Sequence, residues 1–313
     1  MTPAPSPLDP FLSRQPLAIL DGGLATELER RGVDLANELW SAHALLEHPD
    51  AVRAVHLDYL RAGADVIATA SYQATLPGLM RRGMTAAAAE RVVASSAALA
   101  RDARAEFLAS GALGERLAPL VAGSIGPYGA FLSDGSEFRG DYRLSAREFK
   151  AFHADRIEQL VAGGVDILGC ETIPSRREAN ALVDLIEARG DITAWVSFSA
   201  LDEVAISDGT PFEVVVADLA SARSVVAVGI NCSPVDRIEP LLRRANSMKP
   251  LVAYPNAGGR YDAVSKRWYG DPDATTIDAR VERWHSLGAR LIGGCCRTGP
   301  STIAAIRERM IKG

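Results

Sequence analysis

Short runs of apolar, largely β-branched residues alternate with longer amphipathic stretches along the whole chain. The apolar runs are LAILD, ADVIATA, APLVAGS, VDILGCE, ITAWVSFS, SVVAVGIN, PLVAYPN and ARLIGGC, eight in all. Most are nearly continuous rather than alternating, the pattern of parallel strands covered on both faces. The stretches between them carry helix signals. Ser145–Glu148, Ser175–Glu178 and Thr210–Glu213 have capping-box spacing, the last with Pro211 at the first turn. Gly63, Gly163, Gly190 and Gly288 each close a helix and lead within a residue or two into the next strand.

The connections are asymmetric. Helix-to-strand links such as RAGAD, AGGVD and SLGAR are very short. Strand-to-helix links are often long, as in YGAFLSDGSEFRGDYRLS after the third strand and NAGGRYDAVSKRWYGDPDATT after the seventh. Repeated strand–helix units with all long loops at one end predict an α/β fold, a (β/α)₈ TIM barrel, with an open doubly wound sheet as the rival. No linker or shift of composition divides the chain. The expectation is a Pro-rich disordered leader over residues 1–15, with no apolar h-region of a signal peptide, and one barrel domain over 16–313.

In a barrel the active site lies where the strands end, so the residues after each apolar run define one candidate mouth. They are Asp21, Gly22 and Gly23; Thr69, Ser71, Tyr72 and Gln73; GSIGPYG; Cys170, Glu171 and Thr172; Ser197 and Ser199; Asn231 and Cys232; Asn256; and Cys295 with Cys296. GSIGPYG lacks a GxGxxG pattern and reads as a tight turn rather than a phosphate cradle. The five histidines fall on predicted helices or their starts, away from this mouth.

Net charge is −5, with no long basic run, which argues against nucleic acid and anionic membranes as partners. No segment reaches the ~18 apolar residues of a membrane span. A reducing, cytoplasmic setting is expected for the four cysteines. Cys170, inside VDILGC, reads as a small buried apolar residue. Cys232 ends the sixth strand and Cys295–Cys296 the eighth, with only the seventh between them. Three sulfurs converging on an open polar site suit a catalytic zinc ion with a vacant fourth position. Neighbouring strand residues face opposite ways, so the backbone must bend for Cys295 and Cys296 to share a metal; Gly293 and Gly294 would permit that. Spacing alone leaves a vicinal-dithiol redox protein and an inert core pair open, and a zinc hydrolase with Asp21 or Glu171 as general base is a further alternative.

The stretches LDGGLATEL, ATASYQAT, GSIGPYGAFLSDGSEFRGDY, GINCSP, YPNAG and GGCCRT resemble the homocysteine S-methyltransferases, nearest the branch that uses S-methylmethionine. The resemblance runs from Leu17 to Arg309. It implies a zinc-dependent barrel transferring a methyl group from a sulfonium donor, S-methylmethionine or S-adenosylmethionine, to homocysteine to give methionine. By motif, Zn²⁺ falls to Cys232, Cys295 and Cys296, which act in catalysis through it. The homocysteine-binding acids fall on Asp21 and Glu171. Gly22, Thr69, Ser71, Gln73 and Asn231 would complete the substrate site, and the loop Asp134 to Tyr142 would close over the donor. The chain departs from the family pattern at Gly299 and at Gly259-Arg260, and it has Thr172 where betaine-using relatives have Tyr.

Overall fold

The eight apolar runs form the eight strands of one parallel sheet in a computed structural model that describes residues 5–35, 41–262, 267–271 and 275–312. The strands are β1 (Ala18–Ile19), β2 (Val66–Ala68), β3 (Leu120–Ile125), β4 (Ile167–Ile173), β5 (Ala194–Phe198), β6 (Val225–Pro234), β7 (Leu251–Asn256) and β10 (Ala289–Ile292). Their order is β1-β10-β7-β6-β5-β4-β3-β2, and a parallel bridge from Leu20 to Val66 brings the two outer strands together. The sheet therefore closes on itself as a (β/α)₈ barrel, and the doubly wound alternative falls away.

Two further strands, β8 (Arg260–Asp262) and β9 (Arg267–Tyr269), pair antiparallel in the long excursion after β7. The sequence reading had this excursion as loop. Tyr261 and Trp268 face each other across it, ring centroids 5.4 Å apart.

One apolar cluster lies between strands and helices, and a second fills the barrel itself. The inner cluster takes Ala18, Leu20, Val66, Ala122, Ile167, Trp195, Ala227, Val252, Tyr254 and Leu291, contributed by all eight strands or their immediate extensions. Trp195 is its largest member. Gly169 on β4 makes room for the indole, since a Cβ there would lie 2.5 Å from Trp195 Cζ2. Two more members, Leu8 and Phe11, come from outside the strands. Phe11 lies in the helix Asp9–Arg14 and Leu8 at its N-cap, in a segment expected to be disordered leader. Pro10 starts this helix, and burying Phe11 and Leu8 across the strand starts holds it in place. Residues 1–4 of that expected leader lie outside the described residues.

The helix signals divide. Ser145 forms a complete capping box with Glu148. The helix Arg176–Arg189 begins without a side-chain cap, because Glu178 turns inward and is fully buried. The helix Phe212–Leu219 has Pro211 at its N-cap, and Glu213 pairs instead with Arg244 at 3.1 Å. Gly63 and Gly190 end their helices in the left-handed conformation; after Gly163 that conformation falls on Gly164.

The strand starts are tied by a buried ion pair. Asp65, 1% exposed, accepts from the Ile19 amide at 3.0 Å, from Gln15 Nε2 at 2.6 Å and from the Arg307 guanidinium. Arg307 also donates to the Gly63 carbonyl at 2.6 Å. Removing one partner of such a pair leaves a buried charge unanswered. Asp65→Ala is expected to cost about 3–5 kcal/mol in urea unfolding. The change lies at the strand starts, at the end of the barrel away from the strand ends.

Candidate active site and metal centre

The strand ends open into one cavity. Its wall includes Asp21, Gly22, Gly23, Thr69, Tyr72, Gln73, Ser124, Glu137, Phe138, Glu171, Thr172, Cys232, Tyr254, Tyr261, Trp268, Gly294, Cys295 and Cys296.

The sulfurs of Cys232, Cys295 and Cys296 all lie within 4.8 Å of one another, and Cys232 Sγ to Cys296 Sγ is 3.7 Å. Backbone geometry makes this meeting. Cys232 has φ +47, in the left-handed region, where the β6–β7 register shifts between Asn231 and Pro234. Such a bulge re-aims a side chain out of the strand's alternation. On the other side the chain leaves β10 at Ile292 and turns through Cys296 and Arg297, the latter at φ +67. Gly293 and Gly294 serve close approach at this bend: Cβ atoms there would run into Asp21 O and Leu20 at 2.7 Å and into the Thr298 side chain. Cys295 N donates to Pro255 O at 2.8 Å and Cys296 N to Asn256 Oδ1 at 3.2 Å, which fixes both residues against the end of β7.

The electrostatics fit a cation among these thiols. Cys295 is held well above the ordinary thiol range, first by the Cys232 sulfur and further by burial. Three thiols in such proximity cannot all ionise unless a cation shares their charge. Three protein sulfurs with an open side toward a cavity could hold a metal ion and leave a position for a further ligand. Cys170 takes no part. It is fully buried in the outer core, and burial pushes its thiol up to about 12.

Two acids face the same cavity. Asp21 follows β1 and accepts from the Ala68 amide at 2.8 Å. Glu171 lies on β4 and accepts from the Ser124 hydroxyl. Each keeps part of its surface on the cavity yet lies deep in the mouth. Burial holds the Asp21 carboxyl well above the usual carboxylate range, and the neighbouring charge of Glu171 adds to it. Burial likewise raises Glu171, against the pull of its bonds from Ser124 and Tyr254. Tyr254 is fixed by Trp195 Nε1 at 3.0 Å and Ser197 Oγ at 2.6 Å, so the top layer of the barrel core forms the floor of the site.

The other expected substrate residues divide between wall and framework. Gly22 is on the wall, and its lack of a Cβ admits Thr298 Oγ1 and the Tyr59 ring, each within 2.9 Å of where that atom would stand. Thr69 and Gln73 are on the wall too. Thr69 Oγ1 already accepts from Ser124 N at 3.0 Å, and Gln73 Nε2 donates to Ala130 O at 3.0 Å. Ser71 and Asn231 do not reach the cavity. Ser71 Oγ donates to Ser124 O at 2.7 Å, behind the wall. Asn231 clasps Thr172: its Oδ1 accepts from Thr172 N at 2.7 Å and its Nδ2 donates to Thr172 Oγ1 at 2.8 Å. Thr172, at φ +58 beside the register shift in β4, is the counterpart of Cys232 in β6.

Sequence reasoning did not select Tyr254, Tyr261 or Trp268, whereas Ser124 lies within the GSIGPYG segment placed at the mouth, and Glu137 and Phe138 lie within the 134–142 loop expected to close over the donor. Tyr254 carried a signal: it shares strand parity with Asn256, which had been placed at the mouth. The aromatics of β8 and β9 carried none, because their position depends on a hairpin that the excursion's composition does not announce.

A (β/α)₈ barrel with a three-thiol centre and two raised carboxyls at its mouth is an enzyme of thiol chemistry. The family profile "Homocysteine S-methyltransferase" matches residues 18–310. The chain is 48% identical to a homocysteine S-methyltransferase of Escherichia coli over 97% of its length and 98% of the relative's. It is 46% identical to homocysteine S-methyltransferase YbgG of Bacillus subtilis over 96% of each chain. The crystal structure of the homocysteine methyltransferase MmuM from Escherichia coli in its metallated form superposes with a TM-score of 0.88 at 45% identity, covering 97% of this chain and 100% of that one. The chain belongs to the homocysteine S-methyltransferase family, and it is an enzyme of that methyltransferase class.

The raised carboxyl of Asp21 makes a stability prediction. A group whose folded pKa lies above its unfolded value of about 3.9 contributes stability below that value and loses it as pH rises through the folded one. The metal-free, substrate-free wild type should therefore weaken from pH 4 upward through this group. Asp21→Asn keeps an acceptor for the Ala68 amide and removes the charge. In urea titrations the substituted protein should match wild type near pH 4 and be the more stable of the two at pH 8.

Proposed function

We propose that this protein transfers a methyl group from a sulfonium, S-methylmethionine or S-adenosylmethionine, to the thiol of L-homocysteine, with Zn²⁺ held by Cys232, Cys295 and Cys296. The observation that carries this reading is the convergence of three sulfurs beside a cavity that also holds two buried acids. The substrate is an amino acid with a thiol, and this mouth offers a partner for each end.

Asp21 and Glu171 take the ammonium of homocysteine. Burial disfavours charge on both carboxyls, and an arriving ammonium answers that charge. Bound zinc supplies the Lewis acidity that keeps the substrate sulfur deprotonated at neutral pH. The remaining wall serves the donor. Glu137 is anchored through its carbonyl, which accepts from Ser199 Oγ at 2.8 Å just past β5, the strand diametrically across the barrel from β1. Phe138, Tyr261 and Trp268 join it there. Aromatic faces, a carboxylate and cysteinate sulfurs attract a cation. In the reaction the homocysteine sulfur forms a bond to the methyl carbon. The electron pair of the breaking C–S bond returns to the donor sulfur, and the sulfonium charge disappears. The protein contributes alignment of the two sulfurs and exclusion of water.

The hydrolase and redox alternatives gain nothing here. No histidine lines this cavity among the described residues, as a hydrolytic zinc site would ordinarily require. The four cysteines are free thiols, which suits a cytoplasmic enzyme. No helix among the described residues is long and apolar enough to cross a membrane. The partners on this reading are small molecules, not nucleic acid or lipid.

Methionine formation from homocysteine should be measured with each sulfonium, with and without a chelator, alongside the zinc content of Cys296→Ser. S-Methylmethionine should support turnover, the chelator should remove it, and the variant should lose metal affinity by roughly 10-fold or more. No methionine from either sulfonium would sink the reading.

A further inference from the structure

Glu178 has no role in the reaction described above, yet it is fully buried, as is His153, and Arg156 is 1% exposed. The three connect segments that line the cavity. Glu178 Oε1 accepts from the Tyr128 amide at 2.6 Å and faces His153 Nε2 at 2.8 Å, and Glu178 also accepts from the Tyr142 hydroxyl. Tyr128 and Tyr142 bracket the excursion that places Ser133, Glu137 and Phe138 on the cavity wall. Arg156 lies 2.9 Å from His153 Nδ1 and donates to Tyr72 O at 2.9 Å and Gly126 O at 2.5 Å, the chain just past β2 and β3. Tyr72 is itself on the cavity wall.

Donor and acceptor roles in this chain are fixed without ambiguity. A guanidinium only donates, so His153 Nδ1 must accept. The ring proton therefore sits on Nε2 and is donated to Glu178. Burial lowers the His153 pKa, in keeping with a neutral ring. The carboxylate then receives three donors, and the guanidinium meets three acceptors.

We propose that Glu178, His153 and Arg156 form a buried positioning relay that holds the 127–142 excursion and the Tyr72 backbone in one fixed relation around the methyl donor. The relay runs from the excursion through the helix Arg176–Arg189 to the helix Ala146–Ala162 and back to the ends of β2 and β3. It explains why Glu178 forgoes its capping box. No group of the relay touches substrate. It sets where Glu137, Phe138 and Tyr72 stand, and the inference rests on the methyl-transfer reading for which substrate feels the change.

The test uses full-length zinc-loaded protein carrying Tyr142→Phe, Glu178→Ala or Glu178→Gln. Tyr142→Phe deletes one hydroxyl and keeps the ring, so it remains informative if Glu178→Ala fails to fold. Losing one charge-assisted hydrogen bond should raise the donor KM roughly 10-fold, with homocysteine KM and zinc content unchanged. Glu178→Gln presents the same contacts, with the Tyr142 hydroxyl accepting instead of donating, and should return the donor KM to within about threefold of wild type. Independently of turnover, trypsin should cut at Arg139 or Arg143 faster in Tyr142→Phe than in wild type. A donor KM unmoved in Tyr142→Phe, a homocysteine KM rising by the same factor, or unchanged trypsin cleavage overturns the relay. If the wild type makes no methionine, the methyl-transfer reading fails while the cleavage rates still decide whether the relay holds the excursion.

Discussion

Everything at the mouth depends on three sulfur atoms from strands on either side of β7 being forced within reach of one another. An ideal strand cannot do this, because consecutive side chains point to opposite faces. The chain solves it with left-handed backbone at Cys232, a turn directly after β10, and two glycines that let that turn pass against β1. These conformations hold because neighbours over-determine them: Asn256 and Pro255 bond the amides of Cys296 and Cys295, and Asn231 is locked to Thr172. The strain sits where the chemistry is, and the barrel supplies the rigid frame that sustains it.

A second constraint is burial of charge. Burial raises the carboxyls of Asp21 and Glu171, and the thiols restrain one another, so the mouth gathers acids whose charge a cation would stabilise. On the proposed reading a metal ion and an ammonium group would each answer a different part of that charge. The layered core beneath carries the arrangement upward, since Trp195 orients Tyr254 and Tyr254 bears on Glu171. Packing and electrostatics are thus one structure, with the filled barrel interior as its base.

Much of this was legible in the sequence. The apolar runs located all eight strands, because parallel strands covered on both faces leave an unmistakable record. The motifs located the three cysteines and both acids, since chemistry tolerates few substitutes. What escaped was decided by tertiary contact. Glu178 sits at capping-box spacing, yet a buried histidine and two tyrosines claim it. Leu8 and Phe11 looked like leader because two residues are too few to show a period. Ser71 and Asn231 end their strands as site residues do, but a bulge or a neighbouring carbonyl turns them into framework. The β8–β9 hairpin lacks a turn signature and was hidden inside a long polar excursion.

The clasp between Thr172 and Asn231 reaches across β5 from one bulge to the other. Glu171 is the covalent neighbour of one partner and Cys232 of the other. The acid end and the sulfur end of the mouth are therefore spliced into a single mechanical unit, two peptide bonds and a pair of hydrogen bonds long. The distance between those ends cannot be retuned by altering either strand alone. Any change in that distance must pass through both bulges in concert.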